Sequence, residues 1–336
     1  MAKVTRDEVA RRAGVSSATV SYVVNGGPKP VAAETRERVL RAIAELDYVP
    51  NDFARSLKGA GNRTIGYLVP NIRNPFFAEM TSAFNQALRK RGYQLLLADL
   101  DDDPDLEKEY LELFRKKNVN GVVAWQISPS SNLVEFLSSR DIPFALIATR
   151  NAKASSAVID EKSAAEIVVA HLKALGHQKI AYVGPGDEEH FPQSRLPFVL
   201  QALSSAGLPA GRDIFFDTTA PGGWTGATQR LAGMPDRPTA AIVHNDVLAI
   251  QLIAHLIDLG FNIPADLSVV GYDNLDVSKY TKIPLTSVDY SKEKLGQVAI
   301  DLVLNQIDGK KSQGTVTEIP VKLIVRESTA RAGVGA

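Results

Sequence analysis

The chain has 336 residues, 45% of them apolar, no cysteine, and 38 basic side chains against 38 acidic ones. That length allows two or three domains with a sizeable core, and the lack of cysteine excludes disulfides and thiolate metal sites and fits a reducing cytosol. No run approaches the roughly 18 apolar residues that a membrane span requires, and the opening MAKVTRDEVARRAG has no apolar core of signal-peptide length. The cytoplasm is the expected location. The zero net charge hides an asymmetry: residues 1–60 carry 10 Lys and Arg against 7 Asp and Glu, and the remainder 28 against 31. A small basic head on a slightly acidic body points to a polyanion at the head.

Thr5-Arg6-Asp7-Glu8 reads as a capping box, in which the Thr5 hydroxyl and the Glu8 carboxylate each satisfy the other's backbone. The helix it opens is predicted to run to about Ala13, with Gly14 supplying a left-handed turn. Ser16 is a good N-cap for a second helix over Ser17–Val24. Val15, Val20 and Val23 fall where they can pack on Ala10 and Ala13. A third helix, Ala33–Leu46, starts on the poor cap Ala32 and offers Val39, Leu40, Ile43 and Leu46 to the same small core. This is the pattern of a helix-turn-helix. Its second helix is expected to show an outer face of small and polar residues, Ser17, Ala18, Ser21, Tyr22 and Asn25. Short side chains there allow a backbone to approach base edges in a major groove.

YVPNDFARSLKGAGNRTIG follows. Pro50 breaks the chain, Asn51 can cap, and Asp52–Lys58 spans two helical turns closed by Gly59 and Gly61. A helix that short is marginal alone. Either it is a linker, or it folds on DNA, where two copies in the minor groove push Leu57 between base steps beside Arg55 and Lys58.

From residue 62 apolar runs alternate with helical patterns. TIGYLVPN, YQLLLADL, GVVAW and PFALIAT read as strands, with helices over Phe76–Arg91, Leu106–Lys117 and Leu133–Ser139. After Ile159 the rhythm restarts with KIAYVGP, DIFFDTT, AAIVHND and LSVVGYD. This βαβ order predicts two similar lobes, each a parallel sheet covered on both faces. Such sheets bind ligands beyond the carboxyl ends of their strands, so a cleft between the lobes is the expected small-molecule site.

VTRDEVARRAGVSSATVSYVVNG, ETRERVLRAIAELDYVPN and ARSLKG resemble the headpiece and hinge of the LacI/GalR family of transcription regulators. NPFFAEM, GVVAW, HLKALGHQKIAYVG, VVGYDN and LIVREST are similar to landmarks of that family's periplasmic-binding-protein-like effector domain, so the likeness covers almost the whole chain. The resemblance implies an α/β protein: a three-helix headpiece at 1–50, a hinge helix or linker at 51–61, and a two-lobed, doubly wound effector and dimerisation domain at 62–336. Lobe 1 is expected over about 62–155 and 291–320, lobe 2 over 156–290 and 321–332. The chain would cross between them near 150–161, 287–292 and 318–323, and the final helix, Lys292–Gln306, would return to the first lobe.

The resemblance also assigns residues. Thr5, Ser16, Ser17, Ala18, Thr19, Ser21, Tyr22, Asn25, Lys29, Asn51, Ala54, Leu57 and Lys58 are the expected DNA-binding set, with Ser17, Ala18 and Tyr22 at base edges. Tyr22 stands where some relatives carry Arg or His. GGPKP is one residue longer than in several relatives. The expected effector set is Phe77, Arg195, Trp224, Asn245 and Asp273, whose charged, amide and aromatic groups suit the hydroxyls and apolar faces of a sugar or a sugar derivative. The first lobe shows Trp125, Gln126 and Thr149 where sugar-binding relatives often carry Asp or Asn. The structural alternatives are Asn245 as a helix cap, Asp273 as a turn former and Phe77 as core.

No HExxH, Walker or GxSxG pattern occurs, the five His are scattered at 171, 177, 190, 244 and 255, and DLDDDPD at 99–105 lacks the spacing of a calcium loop. No catalytic role, metal or cofactor is expected. The expected function is a dimeric repressor that reads a near-palindromic operator in double-stranded DNA and answers to a small effector. A small-molecule-binding protein, or an enzyme acting on a sugar or nucleoside, remains the alternative on the same two-lobed body.

Overall fold

The computed structural model describes residues 4–25, 30–48, 63–125, 131–186, 194–310 and 314–333. It divides into two compact units, Met1–Arg63 and Thr64–Ala336. The expected hinge helix lies outside the described residues.

The first unit holds α1 (Arg6–Ala13), α2 (Ser17–Asn25) and α3 (Ala33–Glu45). Both halves of the Thr5–Glu8 capping box are made, and Gly14 takes φ 65° at the end of α1, a conformation in which any Cβ is strained. Ser16 Oγ accepts from Thr19 N at 3.1 Å and so caps α2. Ala32 precedes α3 with no side-chain cap. Val9, Ala10, Ala13, Val20, Val23, Val39 and Ala42 form the core, with Val15, Ile43 and Leu46 packed on it. Leu40 departs from expectation: it is 50% exposed. One step round the helix from buried Val39, it points away, and Ala42 takes the inward place.

The second unit is built on two six-stranded sheets. The first runs β11-β5-β4-β3-β1-β2, from β1 (Thr64–Val69), β2 (Gln94–Asp99), β3 (Gly121–Trp125), β4 (Phe144–Ile147), β5 (Ser155–Ile159) and β11 (Val316–Ile319). The second runs β12-β10-β9-β8-β6-β7, from β6 (Ile180–Gly184), β7 (Phe215–Asp217), β8 (Ala240–Val243), β9 (Ser268–Tyr272), β10 (Thr286–Tyr290) and β12 (Val321–Ile324). Every pairing is parallel except β10 with β12. The central strands are buried along their whole length. That follows from helices on both faces and explains why these strands read as unbroken apolar runs.

The helices are α4 (Pro75–Arg89), α5 (Asp105–Lys116), α6 (Leu133–Ser138), α7 (Glu161–Ala174), α8 (Leu196–Ser205), α9 (Gly223–Gly233), α10 (Asp246–Asp258) and α11 (Lys292–Ile307). Leu295, Ala299, Ile300 and Val303 of α11 share one apolar cluster with Tyr67, Met80 and Phe84, so this late helix completes the first lobe.

The chain passes between the sheets at Asp160, Ser291 and Pro320. The division expected at 155 therefore moves: all of β5 belongs to the first sheet, paired with β4 and β11. Pro320 has no N–H to extend the β11 ladder, and the next residues join the other sheet.

Candidate functional site

On the headpiece, eight of the expected contact residues lie among the described ones. Thr5 is exposed, and its hydroxyl donates to Glu8 Oε2 at 2.9 Å. Ser16 is exposed and shares a hydrogen with Thr19 Oγ1 at 2.9 Å. Ala18 is exposed; Ser17, Thr19 and Tyr22 are half-buried. The Ser17 hydroxyl donates to Asp7 Oδ1 on α1. Ser21 is a correction: it is only 6% exposed and does not belong to the outer face. At 100° per residue it stands beside half-buried Val24, which packs on the core next to buried Val20, whereas Ala18 and Tyr22 lie on the opposite side. Asn25 ends α2. Lys29, Asn51, Ala54, Leu57 and Lys58 lie outside the described residues.

The second constellation forms where strands of both sheets end. Asn74 caps α4 by accepting from Phe76 N at 3.0 Å, and Pro75 starts the helix. Phe76 and Phe77 therefore stand in its first turn, past the end of β1. Their ring centroids are 5.1 Å apart and lie 5.5 and 5.2 Å from the Trp125 ring at the end of β3, all edge to face. Tyr290, at the end of β10, meets Phe76 at 6.0 Å. Its hydroxyl donates to Asp273 Oδ1 at 2.5 Å. Arg195, just ahead of α8, brings Nη2 to 3.9 Å from the same oxygen. Phe77, Asp273 and Arg195 thus join one continuous set through Phe76 and Tyr290.

Arg195 is held on all sides. Nε donates to both Glu161 oxygens at 3.0 and 3.2 Å, Nη1 to the His244 carbonyl at 2.5 Å, and the guanidinium lies 4.5 Å from the centre of the Tyr272 ring. Burial alone would lower its pKa; Glu161 and Asp273 outweigh that and hold it well above its usual value. Burial raises the Asp273 carboxyl to about 6, against the pull of Arg195, Tyr290 and Lys292. Asp273 and Asn274 both take left-handed backbone, at φ 100° and 42°. The strain is held in place by the surroundings. Lys292 Nζ donates to the Asp273 carbonyl and, at 3.3 Å, to that of Asn274. Asn274 N donates to Ser287 Oγ at 3.0 Å, and Arg326 Nη2 donates to Asn274 Oδ1 at 2.5 Å.

Asn245 follows His244 and caps α10, its Oδ1 accepting from Leu248 N at 2.9 Å. Trp224 packs with Phe216, Ala227 and Leu231 in the apolar cluster of the second sheet, outside the Arg195–Asp273 contacts. Thr149 Oγ1, beyond β4, is buried and takes no hydrogen bond among the described residues. His177 is buried between Thr239 Oγ1 and the Ala330 carbonyl, so it ties the C-terminal segment down.

Sequence reasoning missed Glu161, Tyr290, Lys292 and Asp246. Asp246 is fully buried, and its carboxylate accepts from Ser287 Oγ at 2.6 Å, Ser278 Oγ at 2.7 Å and Leu275 N at 2.8 Å. It pins the turn that carries Asp273. Gly271 makes the room, since a Cβ there would overlap Asp246 Oδ1. Behind this turn a cavity of about 460 Å³ opens at the seam of the lobes, lined by Glu79, Asn274, Asp276, Asp289 and Lys292 among others. Glu79 of α4 closes the seam: it accepts from Asp276 N at 3.0 Å and pairs with Lys292 at 3.2 Å.

Among the described residues no helix is long and apolar enough to cross a membrane, and no three His, Cys, Asp or Glu side chains stand together as metal ligands.

Residues 169–329 match the description "Periplasmic binding protein-like domain", and residues 5–51 match "Bacterial regulatory proteins, lacI family". The HTH-type transcriptional repressor PurR of Photobacterium profundum is 32% identical over 329 residues, covering 96% of this chain and 98% of the relative. The crystal structure of the Lac repressor dimer bound to operator and the anti-inducer ONPF is similar with a TM-score of 0.85 at 26% identity, over 98% of this chain and 100% of that one. The complex of the transcriptional regulator CelR with cellobiose is similar with a TM-score of 0.71 at 27% identity, over 97% and 100%. A capped helix-turn-helix, a two-sheet body crossed three times and full-length likeness to a repressor agree: this chain belongs to the lacI family of bacterial regulatory proteins.

Proposed function

We propose that the chain is a transcriptional repressor that binds a near-palindromic DNA operator as a homodimer and is controlled by a small molecule, a sugar or sugar derivative, held between its lobes. It acts in the cytoplasm and is not an enzyme. The observation that carries this reading is the division of α2: Val20 and Val23 are buried in the headpiece core while Ala18 is exposed and Tyr22 half-exposed beside it. A helix with short outward side chains can seat its backbone in a major groove. One headpiece spans few base pairs, so a two-fold pair reads the whole site. The Lac repressor relative is a dimer on operator with an anti-inducer, and CelR holds cellobiose.

For the effector, the buried Arg195–Asp273 pair supplies charged donors and acceptors, and Phe77 with Trp125 supplies an aromatic wall. Asn245 adds the amide nitrogen left over from its cap, and Trp224 stands as an outer contact. On the DNA side Thr5, Ser16 and Thr19 serve phosphates near the ends of α1 and α2, and Lys29, Asn51, Ala54, Leu57 and Lys58 serve the backbone and minor groove.

The test is selection of duplexes from a random pool by the full-length protein, with a thermal-shift screen of sugars, phosphorylated sugars and purines. A ligand that binds only the native state raises the melting temperature. The expected hit also changes affinity for the selected duplex, and deletion of residues 1–60 abolishes DNA binding while keeping the thermal shift. Retention of no duplex over a scrambled one, at low salt and with or without a hit, refutes the proposal.

A further inference from the structure

We propose that Asp7 sets which bases Ser17 reads, by accepting the hydrogen bond that its hydroxyl donates. The inference rests on the proposed seating of α2 in a major groove. Ser17 is the first residue of α2 and is half-buried; Asp7 is exposed in the first turn of α1. Their contact is a hydrogen bond in which Ser17 donates and the carboxylate accepts. The other acidic group of that turn is engaged elsewhere: Glu8 Oε2 takes Thr5 N at 2.7 Å and Thr5 Oγ1 at 2.9 Å. Asp7 is thus the carboxylate that α1 presents to the start of α2.

A serine hydroxyl has one proton and two lone pairs. Left alone it can serve either kind of base edge. Given to a carboxylate, the proton is held by a charge-assisted bond, stronger than one between neutral groups. The Ser17 oxygen is then an acceptor only. The donors in the major groove are the amines at cytosine N4 and adenine N6, whereas guanine O6 and thymine O4 are acceptors. Ser17 therefore takes cytosine or adenine at its position and disfavours guanine and thymine. The Asp7 carboxylate sharpens the choice, because its charge repels acceptor edges. It also repels nearby phosphates, so this selectivity comes at the expense of affinity for DNA in general.

The two effects have opposite signs, which separates them from damage to the fold. In random-pool selection with the full chain, the wild type is expected to enrich cytosine or adenine at one position of each half-site, and Ser17→Ala to lose that preference. Asp7→Ala frees the hydroxyl proton. The preference at that position should fall about tenfold, a single good base contact, while affinity for selected and scrambled duplexes alike rises. Asp7→Asn keeps the preference, since its amide oxygen can accept the same hydrogen bond. Retained preference in Asp7→Ala, or an unchanged position in Ser17→Ala, overturns the assignment. So does a uniform loss of affinity in Asp7→Ala, which marks a helix-stabilising role only. If the wild type enriches no duplex, the DNA-binding reading itself fails, and the Asp7 assignment falls with it.

Discussion

Replacing Asp246 by Asn should make the second unit less sensitive to pH. Burial, reinforced by the nearby Asp273 charge, raises the Asp246 carboxyl from 3.8 to about 7, in spite of its three hydrogen bonds. A carboxyl with a raised pKa binds its proton more tightly when folded than when unfolded. Stability is therefore greatest below pH 4 on account of this group and falls as pH rises through 7. At about 1.4 kcal/mol per pH unit, the ionised form costs up to roughly 4 kcal/mol above pH 8. Asn resembles the protonated acid: its oxygen can accept from Leu275 N and Ser278 Oγ, and its amide can donate to Ser287 Oγ. At pH 5, about one unit above the unfolded pKa, the variant should already lead by roughly 1.5 kcal/mol, give or take the ~1 kcal/mol of one hydrogen bond. At pH 8 it should be the more stable by a few kcal/mol, or several degrees at roughly 2 °C per kcal/mol for a unit this large. Calorimetric melts of both proteins at pH 5 and 8 decide it. A variant destabilised by the same amount at both values would show that Asp246 stays ionised throughout, held by its three donors, and would refute the reasoning.

Gly271→Ala should lower stability by about 2–4 kcal/mol, because its methyl must displace Asp246 and Leu285 together; an unchanged urea midpoint would contradict this. Lys292→Met should loosen the left-handed Asp273–Asn274 pair and free Glu79 at the seam. The expected result is faster amide exchange at Asp276 and a stability loss of about 1–3 kcal/mol for a charged hydrogen bond removed, read by exchange mass spectrometry. Tyr22→Ala should change the sequence preference of DNA binding, and anisotropy titrations showing equal loss on specific and scrambled duplexes would count against base reading.

The headpiece was legible almost to the atom because its signals are local. Thr5 and Glu8 are three residues apart, Gly14 and Ser16 mark the turn, and the valines repeat at helical spacing. Leu40 and Ser21 went wrong for one shared reason: each borders a buried stripe, and apolarity or polarity alone does not say on which side of the border a residue falls. In the body, strands buried on both faces announce themselves as apolar runs. β5, β10, β11 and β12 did not, because SSAVI, TSVDY, VTEI and VKLI mix in polar residues. Ser156 and Ser287 are nonetheless fully buried, and β11 and β12 are edge strands, half of β11 exposed and three of the four residues of β12 only half-buried. Phe77, Arg195 and Asp273, which the structure brings together, were named from their places near strand ends and from the resemblance. Glu161, Tyr290 and Lys292 were not, since what gives them meaning is a partner far along the chain, as with the 34 positions between Glu161 and Arg195.

The three passages between the sheets bear on the order in which a new chain can fold. The first lobe begins at Thr64, yet its core includes α11 and its edge strand is β11, which ends at Ile319. During synthesis the head is made first, tethered to a half-made lobe that stays open until β11 has followed. A message cut short before codon 291 would thus yield a finished head on a body whose first lobe can never be closed.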